Sequence, residues 1–283
     1  MSTNGYAHPD TLVSTDWLAA HLTDGTVRVA EVDEDSAAYE RGHIPGAVGW
    51  NWTTDLHTEV GRDYIDREEL GRLLSAAGVE EDTTVVLYGG NDNWFAAYAF
   101  WLLRLRGFEQ VKLLDGGRKK WELESRPLTR EVMDYQHTGY RVGGVERPEF
   151  RALRDDVLAM IGTDAALVDV RSGEEYRGER LAPPHLPQEQ AQVPGHIPGA
   201  VNIPWSQAAN EDGTFKSADE LRALYEAKGV TPDRAVVAYC RIGERSSHTW
   251  FALTELLGYP DVRNYDGSWT EYGSLVRAPV EIG

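Results

Sequence analysis

Short apolar runs alternate with longer amphipathic ones along the chain, most clearly in its second half. Four runs of branched and aromatic residues predict buried strands: Leu167–Val170, Ala200–Ile203, Val236–Tyr239 and Val262–Tyr265. Apolar residues at helical spacing predict helices over Ala218–Lys228 and Ser247–Leu257. Strands that alternate with helices form right-handed βαβ units, so we expect an α/β fold whose mostly parallel sheets carry helices on both faces.

The pattern occurs twice, which indicates an internal duplication. The sequence Gly-His-Ile-Pro-Gly-Ala-Val occupies residues 42–48 and again residues 195–201. From Gly78 onward the halves align at a constant offset of 151 residues, which places Gly78 on Gly229. The second half also contains an extra loop from Arg177 to Val193. We therefore predict two tandem domains of the same fold, residues 1–130 and 149–283, joined by a linker at 131–148.

The single cysteine of the chain, Cys240, directly follows the predicted strand Val236–Tyr239. Ligands bind at the carboxyl ends of the strands in such sheets. Backbone N–H groups of the following loop and of the first helical turn would stabilise a thiolate there, and Arg241 and Arg245 add positive charge. A lone cysteine is most often a small buried apolar residue, but a glycine and two arginines around it favour a nucleophile.

The two halves differ at this position, and the difference is informative. At the offset of 151 residues, Gly89 aligns with Cys240, and Trp94 aligns with Arg245. The first copy therefore lacks the cysteine and both arginines. A cysteine that only filled the core would be replaced more readily by alanine or valine than by glycine. We predict that the second copy is reactive and that the first is structural.

Composition excludes several classes of partner. The formal net charge of −18 argues against binding to nucleic acid or to anionic membranes, which would repel the protein. The longest apolar stretch, Trp94–Leu103, is too short to span a membrane, and the first ten residues show no signal-peptide pattern. One cysteine allows no internal disulfide, which favours the reducing cytoplasm. His185 and His196 have no neighbours at metal-ligand spacing, so we expect no metal and no cofactor.

These motifs resemble those of the rhodanese family in its tandem two-domain form. His43-Ile44-Pro45-Gly46-Ala47, preceded by Tyr39, resembles the amino-terminal signature of the family. The segment from Tyr265 to Tyr272 resembles the carboxy-terminal signature, and the run from Cys240 to Trp250 is similar to the active loop of bacterial thiosulfate sulfurtransferases. The resemblance extends over nearly the whole chain.

The resemblance implies a double-displacement reaction. The Cys240 thiolate would attack the outer sulfur of thiosulfate, release sulfite and retain a persulfide, which cyanide or a cellular thiol then discharges. A thioredoxin-like protein is one candidate acceptor. Asp169 and Arg171 would support the active loop. The residues implied to bind the donor are those that follow the cysteine: Arg241, Ile242, Gly243, Glu244, Arg245 and Ser246.

Three alternatives remain open. Ile242 and Glu175 stand where the animal enzymes carry a lysine and an arginine, so the donor could instead be 3-mercaptopyruvate. The mercaptopyruvate branch has a loop of the Gly-Ser-Gly-Val-Thr type, whereas this loop favours thiosulfate. The protein could instead be a persulfide carrier or a regulatory module. A phosphatase is the third alternative, but the loop from Cys240 to Arg245 is one residue shorter than that of protein-tyrosine phosphatases, and the smaller cradle suits sulfur better than a phosphoryl group.

Overall fold

The computed structural model describes residues 5–183 and 190–283. Residues 184–189 of the predicted extra loop, including His185, therefore lie outside the described residues. The chain divides into two compact units. One consists of Asp10–Pro148 and Asn210–Phe215, and the other consists of Met1–Pro9, Glu149–Ala209 and Lys216–Gly283. The predicted division of the sequence at residues 130 and 149 stays a prediction.

Within the described residues, the unit built on Asp10–Pro148 contains one sheet of five parallel strands. Its strands are β1 (Leu12–Val13), β2 (Val27–Glu31), β3 (Ala47–Gly49), β4 (Thr84–Tyr88) and β5 (Val111–Leu114). Its helices are α1 (Thr15–His21), α2 (Ala38–Arg41), α3 (Arg67–Ala76), α4 (Trp94–Leu105) and α5 (Gly117–Leu123). The strand order is β1-β5-β4-β2-β3.

The other unit repeats this plan. Its strands are β6 (Arg151–Ala152), β7 (Ala166–Asp169), β8 (Val201–Asn202), β9 (Val236–Tyr239) and β10 (Val262–Tyr265). Its helices are α6 (Arg154–Met160), α7 (Gly173–Tyr176), α8 (Ala218–Glu226), α9 (Glu244–Phe251) and α10 (Ser268–Tyr272). The strand order β6-β10-β9-β7-β8 is parallel throughout and matches that of the first sheet element for element.

The central strands explain why the hydrophobic pattern was informative. β9, with the sequence Val-Val-Ala-Tyr, is buried along its whole length, as expected for a parallel strand covered on both faces. Val237 and Tyr239 join Tyr265 and Trp269 in one apolar core, and β4 contributes Val86 and Tyr88 to the equivalent core of the other unit. The predicted α/β fold of two duplicated parallel sheets flanked by helices is confirmed.

The helix after Cys240 begins earlier than its apolar spacing predicted. We expected it to start at Ser247, whereas α9 starts at Glu244 and continues as a turn of π-helix over Ala252–Leu256. Every residue of α9 is buried, including the polar run at its start. A pattern of apolar residues cannot reveal a helix start whose buried residues are polar. α8 also ends two residues before the predicted Lys228, at Glu226.

Residues 131–147, most of the predicted linker, form no helix or strand. They nevertheless make specific contacts within their own unit. The Tyr135 hydroxyl donates to the Gly46 carbonyl at 2.8 Å, and Arg67 donates to the Val142 carbonyl at 2.8 Å. The weak sequence pattern of this stretch thus corresponds to an irregular segment held by side-chain to backbone hydrogen bonds.

Candidate active site

Cys240 lies directly after β9, in the loop that leads into α9. Its side chain has no exposed surface, and its backbone N–H donates to the Ser268 hydroxyl oxygen at 3.0 Å. The carbonyl oxygens of Cys240 and Arg241 accept hydrogen bonds from the backbone N–H groups of Trp269 and Thr270, which ties the loop to α10. The cysteine therefore occupies the edge of the sheet at which parallel α/β folds hold their ligands.

A backbone amide is directed at the Cys240 sulfur. The Gly243 N–H donates to Sγ at 3.1 Å. Gly243 has a φ of 102°, and a Cβ at this position would lie 2.7 Å from the Cα of Asp266, so a side chain would not fit. α9 begins at the next residue, which places the sulfur at the positive end of a helix. Both features favour negative charge on sulfur.

Glu244 lies beside the sulfur and is almost completely buried. Its Oε2 is 3.6 Å from Sγ, which makes the contact a weak one. Burial raises the pKa of the Glu244 carboxyl, while the charges of Arg245 and Arg241 act in the opposite direction. When ionised, Glu244 places a negative charge beside the sulfur, where it repels other anions.

Arg245 forms an ion pair with Glu175, a carboxylate distant from it in the sequence. Its two terminal nitrogens each lie 3.0 Å from an oxygen of Glu175. Burial alone would raise the pKa of Glu175, but the charge and hydrogen bonds of Arg245, together with the charge of Arg171, hold that pKa below its ordinary value. Glu175 is positioned by a capping box with Ser172 at the start of α7. The Ser-x-x-Glu spacing predicts that helix start, but it cannot predict the ion pair.

The other loop residues differ in what they can reach. Arg241 is buried, whereas Ile242 is partly exposed. Ser246, predicted to bind the donor, directs its hydroxyl toward the sheet, 2.6 Å from Oδ1 of Asn264 on β10. The structure thus gathers residues 240–246 into one tight turn, but the described contacts of Ser246 point into the protein. Its predicted role in donor binding stays a prediction.

Asp169 and Arg171 form a buried ion pair at the end of β7. Arg171 Nη2 lies 2.6 Å from Asp169 Oδ2 and also donates to the Gly195 carbonyl at 2.7 Å. The guanidinium lies 4.7 Å from the centroid of the Trp269 ring, and the backbone N–H of Trp269 donates to the Cys240 carbonyl. The pair therefore reaches the active loop through Trp269. This route is consistent with the supporting role predicted for both residues.

The first copy has a different loop at the equivalent sheet edge. A Cβ on Gly89, which aligns with Cys240, would lie 2.2 Å from the Val32 carbonyl oxygen. The following residues Asn91, Asp92 and Asn93 all have left-handed backbone conformations, with φ between 47° and 66°. The Asn93 side chain accepts a hydrogen bond from the Gly89 N–H at 3.0 Å. The Gly90 N–H donates to Asp33 Oδ2 at 2.6 Å, so a carboxylate of the neighbouring strand end also holds this loop.

Among residues 5–183 and 190–283, no group of three or more histidine, cysteine, aspartate or glutamate side chains could hold a metal ion. In the same part of the chain, no helix combines the length and the apolar character needed to cross a bilayer.

Relatives with assigned names share the full length of the chain. A Mycolicibacterium smegmatis protein named "Putative thiosulfate sulfurtransferase" is 58% identical over 277 residues, covering 98% of this chain and 99% of that protein. The Thermus thermophilus protein named sulfur carrier protein TtuD is 56% identical over 283 residues, covering 99% of each. Among solved structures, a persulfide form of an EanB variant with ergothioneine has a TM-score of 0.85 and 26% identity, covering 98% of this chain and 72% of that one.

The sequence also matches the rhodanese-like domain family twice. The matches extend over residues 14–124 and 153–275, so each falls on one copy of the duplicated fold. Together they include four of the five strands of each sheet and the loop that carries Cys240. The chain therefore belongs to the rhodanese-like family and contains two copies of its domain.

Proposed function

We propose that this chain is a sulfurtransferase that moves the outer sulfur of thiosulfate to a thiophilic acceptor through a persulfide on Cys240. The observation that carries the proposal is the hydrogen bond of 3.1 Å from the Gly243 N–H to Sγ. A backbone amide aimed at the single cysteine sulfur of the chain, at the start of a helix, suits a group that becomes anionic. The name of the M. smegmatis relative supports the same activity.

The first half of the reaction needs no cofactor. The Cys240 thiolate attacks the outer sulfur of thiosulfate, a new sulfur–sulfur bond forms, and the bond from the outer sulfur to the sulfonate breaks. Sulfite leaves with both electrons of that bond, and Cys240 retains a persulfide anion. The Gly243 N–H then lies next to the sulfur that carries charge during the displacement. Such a covalent intermediate divides one transfer into two easier steps.

The second half discharges the persulfide. A thiophile, either cyanide or a thiolate, attacks the outer sulfur and leaves with it, which restores the Cys240 thiolate. With cyanide the product is thiocyanate, and with a thiol it is a new persulfide. A thioredoxin-like protein is one proposed thiol acceptor. No proton transfer is required when donor, nucleophile and acceptor are all anionic.

Intact-mass spectrometry tests the proposal directly. Incubation with thiosulfate should add about 32 Da, the mass of one sulfur atom, and cyanide should remove it. Cys240→Ser should give no adduct. A wild-type protein that stays unmodified under thiosulfate but gains the same mass from 3-mercaptopyruvate would assign the alternative donor. Phosphate release from phenyl phosphate without any sulfur adduct would instead favour the phosphatase alternative.

A second candidate function is persulfide carriage to a protein partner. It is supported by the full-length similarity to the T. thermophilus sulfur carrier protein and by the persulfide in the EanB variant. Carrier and enzyme share the first step and differ in the acceptor. Protein loaded with radiolabelled sulfur should pass it to cyanide rapidly if it is a thiosulfate:cyanide sulfurtransferase. A carrier should keep its label in cyanide for much longer than in the presence of its protein acceptor.

A further inference from the structure

A buried cluster of polar side chains lies between α9 and β10, beneath the active loop. It consists of Ser246 and Ser247 on α9 and Asn264 on β10, and none of the three has exposed surface. We call these three residues the polar bed. Burial of amides and hydroxyls is unfavourable unless each of these groups has a hydrogen-bond partner.

The polar bed holds the carbonyl oxygen of Gly243. The Asn264 Nδ2 donates to that oxygen at 3.0 Å and to the Ser247 hydroxyl at 2.9 Å, which uses both of its hydrogens. The Ser247 hydroxyl donates to the same carbonyl at 2.8 Å. The Ser246 hydroxyl has one hydrogen, and its shorter contact, 2.6 Å, is with Asn264 Oδ1. The Asn264 amide orientation is therefore fixed by its partners.

The carbonyl and the N–H of Gly243 lie on opposite sides of the same Cα. A glycine at a φ of 102° has wide rotational freedom unless its neighbours restrict it. Anchoring the carbonyl holds the Gly243 Cα in place, which limits how far the N–H attached to that Cα can move from the Cys240 sulfur, 3.1 Å away. On the other side of the loop, the Thr270 hydroxyl donates to the Arg241 carbonyl at 2.7 Å. The loop is thus held at both ends.

The first copy of the fold provides an internal comparison. Asn264 pairs with Ala238 across the sheet, and Leu113 pairs with Leu87 at the equivalent register. Leu113 is therefore the structural equivalent of Asn264. By the same offset of 151 residues, Phe95 and Ala96 stand for Ser246 and Ser247, and all three substitutes are buried. In the copy without the cysteine, the positions of the polar bed are therefore occupied by apolar residues.

The two copies together indicate which residues the packing of the fold requires and which residues the active loop requires. Because the same α/β framework packs with apolar residues at these positions, the polar bed is not required for the sheet and helix to pack. It occurs in the copy in which a glycine amide contacts a cysteine sulfur. We propose that Asn264 is a positioning residue for sulfur transfer, acting through the Gly243 carbonyl to hold the Gly243 N–H on Sγ; this inference rests on the proposed function.

The test replaces Asn264 by the residue of the first copy. Asn264→Leu should lower kcat for sulfur transfer from thiosulfate by about 10- to 100-fold while KM changes little, because the misplaced amide acts on the reacting sulfur. The melting temperature should stay within a few degrees of wild type, since leucine fits the equivalent site. A kcat within twofold of wild type, or a loss confined to KM, would overturn the inference.

Three further measurements make the test decisive. Ser247→Ala introduces the residue of the first copy, Ala96, and keeps the hydrogen bond from Asn264 to the Gly243 carbonyl. It should lower kcat by about threefold or more. If Asn264→Leu fails to fold, an unchanged kcat in Ser247→Ala overturns the inference. The reciprocal control Leu113→Asn should lower the melting temperature and leave kcat unchanged.

Alkylation of Cys240 by iodoacetamide needs no sulfur donor, so it tests the inference even if thiosulfate proves not to be a donor. Slower alkylation in Asn264→Leu than in wild type supports the inference. Equal alkylation rates contradict it.

Discussion

The Arg245 guanidinium and the Glu175 carboxylate form an ion pair with two hydrogen bonds of 3.0 Å, and only 4% and 1% of the two side chains are exposed. The positive charge nearest to the end of the active loop is thus already balanced within the protein. Arg245 can orient a donor anion only as part of this pair, so the free charge that the sequence suggested at residue 245 is much reduced.

Removing one partner of this pair should destabilise the protein strongly. Glu175→Gln is expected to lower the free energy of unfolding by about 3–5 kcal/mol at neutral pH, because it leaves a buried guanidinium without its counter-charge. Since the pKa of Glu175 is lowered by folding, its stabilisation is present above the ordinary value of 4.5 and is lost as pH falls through the folded pKa. Urea unfolding at pH 7 and in acid measures both effects.

An exposed ion pair provides the control. Glu68 and Arg72 on α3 are joined at 2.7 Å, with 83% and 63% of their side chains exposed. Glu68→Gln should change the free energy of unfolding by less than about 0.5 kcal/mol. A change of that small size for Glu175→Gln would show that the buried pair contributes little.

The charge of Glu244 should set the pH dependence of thiosulfate turnover. Burial raises the pKa of this carboxyl above its ordinary value of 4.5. Once ionised, the carboxylate places a negative charge 3.6 Å from Sγ. That charge repels both the thiolate and a divalent anion. In wild type, kcat/KM for thiosulfate should therefore fall as pH rises through the Glu244 pKa, and in Glu244→Gln this decline should be absent.

We expect Glu244→Gln to exceed wild type by about tenfold on the alkaline side, which corresponds to about 1.4 kcal/mol of electrostatic repulsion. Profiles of kcat/KM from pH 5 to pH 9 measure the difference. Two superimposable profiles would mean that Glu244 stays in one charge state throughout, or that its charge does not reach the donor.

Asp115 should make the stability of the first unit depend on pH. Burial raises its pKa to about 6, while the Phe215 N–H, which donates to Oδ1 at 3.0 Å, acts in the opposite direction. Because the folded pKa lies above the ordinary value of 3.8, this group's contribution is complete below pH 3.8 and is lost as pH rises through about 6. Asp115→Asn keeps an oxygen for the Phe215 N–H and removes the ionisation.

Asp115→Asn should therefore be more stable than wild type at pH 8 by up to about 3 kcal/mol, and the two proteins should converge in acid. Urea unfolding at pH 4 and pH 8 compares them. The control Asp219→Asn, at a side chain that is 96% exposed, should shift stability by less than about 0.5 kcal/mol at either pH. A stability difference between Asp115→Asn and wild type that does not vary with pH would contradict the assignment.

A cysteine placed in the first copy should not create a second reactive site. Gly89→Cys would put its Cβ 2.2 Å from the Val32 carbonyl oxygen, so we expect a loss of about 1–3 kcal/mol from overpacking. In the double variant Gly89→Cys with Cys240→Ser, thiosulfate should leave the mass unchanged. Gly25→Ala, where a Cβ meets no atom within 4 Å, is the matched control for stability. A sulfur adduct on the double variant would refute this expectation.

The features that can be predicted correctly from the sequence are those that depend on local patterns of apolar residues. The run Val236–Tyr239 is fully buried and Cys240 follows it directly, so both the strand and the place of the cysteine could be inferred. Because the two halves of the sequence repeat, the same pattern also predicts the second sheet. The ends of short strands are harder to predict. The strand predicted over Ala200–Ile203 is β8, which contains only Val201–Asn202.

The features that the sequence did not reveal depend on contacts between distant segments. Glu175 and Arg245 are 70 residues apart, and nothing local in either segment indicates that their side chains meet. Asn264 lies in a strand whose sequence gives no sign that its amide faces a glycine carbonyl 21 residues earlier. Buried polar residues at the start of α9 resemble exposed ones in sequence, and their burial is set by tertiary packing.

Ser268, whose hydroxyl oxygen accepts the Cys240 backbone N–H, has a left-handed φ of 50°, and its equivalent in the first copy, Gly117, has a φ of 53°. The same unusual bend is thus built with glycine where no hydroxyl is required and with serine where one is. Under the proposed function, the first copy would therefore need more than a cysteine and two arginines to carry out sulfur transfer. It would also need the residues beneath and behind the loop, because residues 264–270 supply contacts that hold Cys240 and Gly243 in place.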